Sequence, residues 1–129
     1  MSSGAAGDAV SVFASPNMNN GNAVELDLLF VKTYDIVQAF DIVPAKNWFR
    51  NREAFLASYV GQIESISRTV LPGEEIVLSR FPAMKRTAAA VFIYANYKSR
   101  GKHRTRVRRL RNVVVELGVD GFLVNNGSN

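Results

Sequence analysis

The sequence has no cysteine. That excludes disulfides, thiolate nucleophiles, zinc fingers and iron–sulfur ligation. It leaves the compartment open, because a cysteine-free chain suits cytosol and periplasm alike. Histidine is almost as scarce: His103 is the only one, flanked by Lys102 and Arg104. One histidine builds no His-rich metal site, and no Gly-x-Ser-x-Gly context exists for a hydrolytic triad. The carboxylates, Asp27, Asp35, Asp41, Glu74, Glu75 and Glu116 among them, fall on strand faces and turns without metal-ligand spacing. Glycines are scattered at turns and form no phosphate loop. Reaction sites need convergent groups, so the expectation is a non-enzymatic protein with no metal and no cofactor.

No apolar run reaches the roughly 18 residues of a membrane span. The first residues, Met1-Ser2-Ser3-Gly4-Ala5-Ala6-Gly7, have neither the basic nor the apolar region of a signal peptide. Two readings fit: a cytoplasmic protein, or a mature form whose export signal has been removed.

What remains is an ordinary globular balance, 47% hydrophobic and 21% charged over 129 residues. That length is one domain and buries enough surface to fold without staples. Residues 1–8 read as a flexible tail, 9–125 as the domain and 126–129 as a disordered tail.

Charge is concentrated rather than spread. Lys98, Arg100, Lys102, Arg104, Arg106, Arg108, Arg109 and Arg111 are eight of the sixteen basic residues, in a stretch without acids. The net charge is +5, so the rest of the chain carries −3. One reading of this basic patch is nucleic-acid binding, with phosphates neutralised by the patch and Tyr94 or Tyr97 as stacking faces. Arg104, Arg106 and Arg108 would share a strand face. The parity change at Arg109 and Arg111 marks a bulge or a loop end. A second reading is an edge strand guarded against aggregation by its charge. A third is docking on an acidic partner or on anionic headgroups.

Periodicity supplies the elements. Ala9–Ser15 alternates weakly, with Val10, Val12 and Ala14 opposed to Phe13. Pro16–Asn22 is a dense turn cluster whose one apolar residue is Met18, either packed down or exposed as a contact tip. Val24–Tyr34 alternates clearly as a half-buried strand, with Val24, Leu26, Leu28 and Phe30 opposite Glu25 and Asp27. Residues 35–44 read as a connector. Ala45–Gly61 is the one good helix, with a core stripe of Trp48, Phe55, Leu56 and Tyr59 and with Arg50, Arg52 and Glu53 as solvated charges. Strands follow over 62–70, 75–81 and 88–97, and another runs through Arg104–Leu117. An Asp120-Gly121 turn then leads into a closing strand at Phe122–Val124. About seven strands and one helix, with turns every eight to twelve residues, describe an all-β antiparallel sandwich or barrel.

The order of these features over residues 9–124 resembles the TssJ-type outer-membrane lipoproteins of bacterial type VI secretion systems. The resemblance rests on the loop Ser15-Pro16-Asn17-Met18-Asn19-Asn20-Gly21-Asn22-Ala23 before the long strand Val24–Tyr34. It continues through the Phe40–Leu56 segment with Trp48-Phe49, the Leu71-Pro72-Gly73-Glu74 turn, and Val91–Tyr97 before a basic turn. It implies a transthyretin-like antiparallel β-sandwich with a helical insertion after the second strand, and no enzymatic role. It implies a place on the periplasmic face of the outer membrane, through a lipid anchor that this cysteine-free sequence does not contain. It implies a partner, the periplasmic domain of the inner-membrane protein TssM. The family's contact loop maps to Pro16, Asn17, Met18, Asn19, Asn20, Gly21, Asn22 and Ala23. The expected function is therefore a non-catalytic scaffold subunit. The alternative is a small basic nucleic-acid-binding protein, such as a viral or phage accessory factor, working through residues 98–111.

Overall fold

Two four-stranded sheets pack face to face, and two helices cover the outer side of one of them. The structure, a computed structural model, describes residues 7–126. The strands are β1 (Val10–Ala14), β2 (Val24–Val31), β3 (Ile63–Val70), β4 (Glu75–Leu78), β5 (Ala90–Ala95), β6 (Arg104–Val107), β7 (Val113–Leu117) and β8 (Phe122–Asn125). The first sheet has the order β4-β1-β7-β8 and the second β3-β2-β5-β6. All pairings are antiparallel except β1 with β7. The architecture is the β-sandwich with a helical insertion expected from the sequence.

Alternation decides which side chains enter the sandwich. Val10, Val12 and Ala14 of β1 and Val113, Val115 and Leu117 of β7 face Leu26, Leu28 and Phe30 of β2 and Val91 and Ile93 of β5 across one buried core. A second core lies on the far side of β2 and β5. There Leu29, Val31, Phe92 and Tyr94 meet Val37, Phe40, Ala45 and Trp48 of the helices. Strand β2 is thus buried on both faces, not half-buried, because a helical layer covers the face that carries Asp27.

The helices are α1 (Tyr34–Phe40) and α2 (Ala45–Ser58). The segment read as a connector contains α1, with Asp35 in its first turn and Val37 and Phe40 turned inward. Helix α2 follows Pro44, bends at Asn51, and stops at Tyr59, before Gly61. Phe40 is the hub of the aromatic packing, with ring centroids 6.0 Å from Trp48, 5.2 Å from Phe55, 5.5 Å from Tyr59 and 6.3 Å from Phe92.

Three further readings need correction. Among the described residues there are eight strands, where the sequence pattern suggests about seven. Arg104–Leu117 is not one strand: β6 and β7 belong to different sheets, and residues 108–112 carry the chain across. Strand β4 ends at Leu78, short of Phe81. Asn125 closes β8, while the tail readings at 1–6 and 127–129 lie outside the described residues.

Candidate functional site

Strand register places four loops at one end of the sandwich. They are residues 15–23 after β1, 71–74 before β4, 96–103 between β5 and β6, and 118–121 between β7 and β8. Hydrogen bonds tie them together. Ser15 N donates to Leu117 O at 2.9 Å and Gly73 N to Ser15 O at 3.1 Å. Ser99 Oγ donates to Asp120 O at 2.7 Å. The Tyr97 hydroxyl lies 3.0 Å from the carbonyl oxygens of both Gly118 and Gly121.

The 16–23 loop is a shaped element. A 3-10 turn spans Met18–Gly21, and Asn19 and Asn20 both hold left-handed backbone, with φ of 51° and 54°. Asparagine tolerates that region better than other side chains. Asn19 is buried and satisfied on every side. Its Nδ2 donates to Ala23 O at 3.2 Å, and its Oδ1 accepts from Lys98 N at 3.1 Å. Its backbone N donates to Gly118 O at 3.2 Å. Ser15 Oγ donates to Asn17 Oδ1.

Met18 corrects the reading of an exposed contact tip. Its side chain is fully buried and packs into the sandwich core. It anchors the loop from within the core. Pro16, Asn17, Asn20, Gly21 and Ala23 are the exposed residues, with Asn22 half-buried. The loop therefore presents a polar, pre-ordered tip.

Apolar surface lies next to it, on the open face of the first sheet. Phe13 is 44% and Leu123 72% exposed. With Ser15, Glu116 and Gly118 they line a shallow recess of about 410 Å³. Sequence reasoning placed Phe13 opposite the core residues of β1 but gave it no role. The signal was present: a phenylalanine on the wrong side of an alternating strand, paired in register with Glu75 and Glu116.

The eight basic residues do not form one strip. Lys98, Arg100 and Lys102 are exposed on the loop end, beside Asn19. Arg104 and Arg106 share a face of β6, as alternation requires, but it is the face turned to the helices. Arg104 donates to Val43 O at 3.0 Å and Arg106 to Asp41 Oδ2 at 2.8 Å. Arg108, Arg109 and Arg111 lie on the crossover at the opposite end of the sandwich. The proposed stacking faces are closed. Tyr94 is buried between Trp48 and Phe92, and its hydroxyl donates to Val43 O at 2.9 Å. Tyr97 is buried and stacked on His103 at 4.8 Å. Burial raises the hydroxyl of Tyr94 and pushes that of Tyr97 up to about 12.

His103 is a structural residue. Its Nε2 lies 2.9 Å from Ser99 O. Gly101, at φ +139°, passes so close that a Cβ there would stand 3.1 Å from the His103 ring. Among the described residues no group of three or more His, Asp or Glu could hold a metal ion. No helix among them is long and apolar enough to cross a membrane.

Arg52 is not a solvated charge. Its guanidinium reaches from α2 across the second sheet, 2.8 Å from both Glu25 Oε2 and Asp27 Oδ2. Asp27 also accepts from Trp48 Nε1 at 2.8 Å and from Ser67 Oγ at 2.6 Å. The bond to Glu25, then that to Asp27, raises the Arg52 pKa above its already high ordinary value.

No protein-family model matches the chain, and no curated protein does. Solved structures do. The lipoprotein TssJ1 of the type VI secretion system of Pseudomonas aeruginosa matches with a TM-score of 0.69 at 17% identity, over 91% of this chain and 92% of that one. Lip of Serratia marcescens, a membrane-bound component of that system, matches with a TM-score of 0.62 at 10% identity, over 91% and 95%. A chain from the structure of the TssM C-terminal domain from EAEC matches with a TM-score of 0.69 at 13% identity, again over 91% and 95%. The chain has a TssJ-type fold.

Proposed function

We propose that this protein is a non-catalytic component of a type VI secretion envelope complex, which binds the periplasmic domain of a TssM-type inner-membrane protein at the outer membrane. The reading rests on the TssJ-type fold, which runs through 91% of the chain, and on one observation within it. The loop end is pre-ordered, with Met18 and Asn19 buried beneath an exposed tip. Binding costs entropy for each side chain that must be fixed, so a loop already locked by hydrogen bonds loses little on docking. The polar tip, Asn17 and Asn20, supplies register. The recess of Phe13 and Leu123 supplies the apolar contact first sought at Met18.

Biolayer interferometry tests this, with the protein immobilised and a TssM-type periplasmic domain titrated at low and high salt. Micromolar or tighter binding that survives high salt is expected. Excising residues 16–23 would remove the Met18 anchor and confuse docking with folding. The informative variants are Asn17→Arg and Leu123→Asp, both at exposed positions. Each should weaken binding about tenfold while leaving the melting temperature in place. Absence of binding by the native chain overturns the proposal. The nucleic-acid alternative loses its stacking faces, because Tyr94 and Tyr97 are both buried.

A further inference from the structure

The end of the sandwich opposite the loops has its own chemistry. There the first described residues are clamped to the β6–β7 crossover. Ala9 N donates to Leu110 O at 3.1 Å and Val113 N to Ala9 O at 3.3 Å. Asp8 pairs with Lys85 at 3.4 Å, from a 3-10 turn over Ala83–Arg86. Between this segment, that turn and the crossover runs an open groove of about 1090 Å³.

The groove is lined by Lys85, Arg86, Arg106, Arg108, Arg109 and Arg111, against the single carboxylate of Asp8. Asp8 partners Lys85, and Asp41 partners Arg106. Among the described residues no ion pair engages Arg86, Arg108, Arg109 or Arg111, and all four are exposed. The sequence run hid this grouping. It joined Arg108–Arg111 to cations that point elsewhere, and it omitted Lys85 and Arg86, which come from more than twenty residues upstream.

Clustered guanidinium groups select phosphate oxygens, which they meet bidentately. A concave wall of like charge also raises the local concentration of anions. Tyr34, 62% exposed, stands at the groove's edge as an amphipathic side chain suited to a headgroup layer. Nucleic acid fits less well, because no row of exposed aromatics accompanies the charges.

We propose that this arginine groove docks on the phosphate headgroups of an anionic bilayer, leaving the 16–23 loop end pointing away from the membrane. The membrane as occupant rests on the proposed function above, whereas the groove and its unpaired arginines do not.

The test is co-flotation of the chain with vesicles of pure phosphatidylcholine and with vesicles containing phosphatidylglycerol. Binding only to the anionic vesicles is expected. The triple variant R86E/R108E/R111E should weaken it at least about tenfold. The charge-matched triple K98E/R100E/K102E, at the loop end, should leave it within about twofold. Absence of flotation, or equal loss in both triples, overturns the proposal. So does displacement by single-stranded oligonucleotide at concentrations where inorganic phosphate has no effect, which would assign the groove to nucleic acid. Should the groove triple fail to fold, the cysteine-free background allows a dye at Thr87→Cys or at Asn17→Cys. Anionic vesicles should shift the first and not the second, and the reverse result sinks the idea. Binding to the TssM-type domain by the groove triple should equal that of the native chain. Loss of lipid binding and loss of partner binding are therefore read separately.

Discussion

Asp27 is fully buried on the face of β2 that the helices cover, and a carboxylate there is tolerable only with its oxygens satisfied. Trp48, Ser67 and Arg52 all donate to it. Trp48 is meanwhile stacked on Tyr94 at 5.5 Å and on Phe55 at 5.8 Å. The carboxylate thus fixes where α2 sits and how its indole turns. Asp27→Ala should cost about 2–3 kcal/mol, because the Trp48 N–H is left buried without an acceptor. With Glu25 removed, Arg52, 29% exposed in its ion pair with Asp27, keeps Asp27 and water as partners, so Glu25→Ala should cost under about 1 kcal/mol. Urea unfolding of the two variants checks the order. Tyr97 adds a pH dependence. Its hydroxyl, held at about 12 by burial, ionises near 10 once unfolded. The folded state then keeps its proton where the unfolded state loses it. Stability should fall as pH rises from about 10 towards 12 and be unaffected by this group below that window. Tyr97→Phe should lessen that slope without abolishing it, because the buried Tyr94 hydroxyl is raised as well, as read from urea midpoints across the range.

At the scale of elements, the 16–23 loop separates two kinds of residue that look alike in sequence. Met18→Ala should cost about 2–5 kcal/mol, as for any buried methionine truncated in a packed core. Asn20, exposed at φ 54°, should accept glycine at little cost. It should lose stability with valine, whose branched Cβ is strained there. Thermal melts of the three variants test this division. The loop itself was legible, since asparagine and glycine at that density announce a turn. The direction of Met18 was not, because one apolar residue in a loop has no period to orient it. Strands β1 and β2 and helix α2 were legible through their alternation and their aromatic stripe. Helix α1 was not: seven residues, with only Val37 and Phe40 buried, are too few to establish a helical period. The crossover was masked by charge. Leu110 is buried in the midst of the arginines, and nothing in that run marks it as the point where the chain changes sheets. Arg52 was misread because its acidic partners lie some 25 residues earlier in the sequence, and only the packing of α2 on β2 brings them together.

At the scale of the whole molecule, β2 and β5 belong to two cores at once. Leu28 and Ile93 point into the sandwich, while their neighbours Leu29, Phe92 and Tyr94 point into the helical layer. Stripping the helices away would expose the fully buried Leu29 and Phe92 and leave the Asp27 carboxylate without its indole donor. That loss is too large for the sheets to survive as a separate folded state, so the helical layer and the sandwich should unfold together. Trp48, the only tryptophan, reports the helical core, while far-UV circular dichroism reports chiefly the strands and helices as a whole. The two should give coincident transitions in urea, with one midpoint and one slope. A fluorescence transition at lower urea than the dichroism would mean that α1 and α2 detach first. In that case the buried Asp27 network would act as a latch on an otherwise independent sandwich, and Asp27→Ala would move the fluorescence midpoint while leaving the second transition where it was.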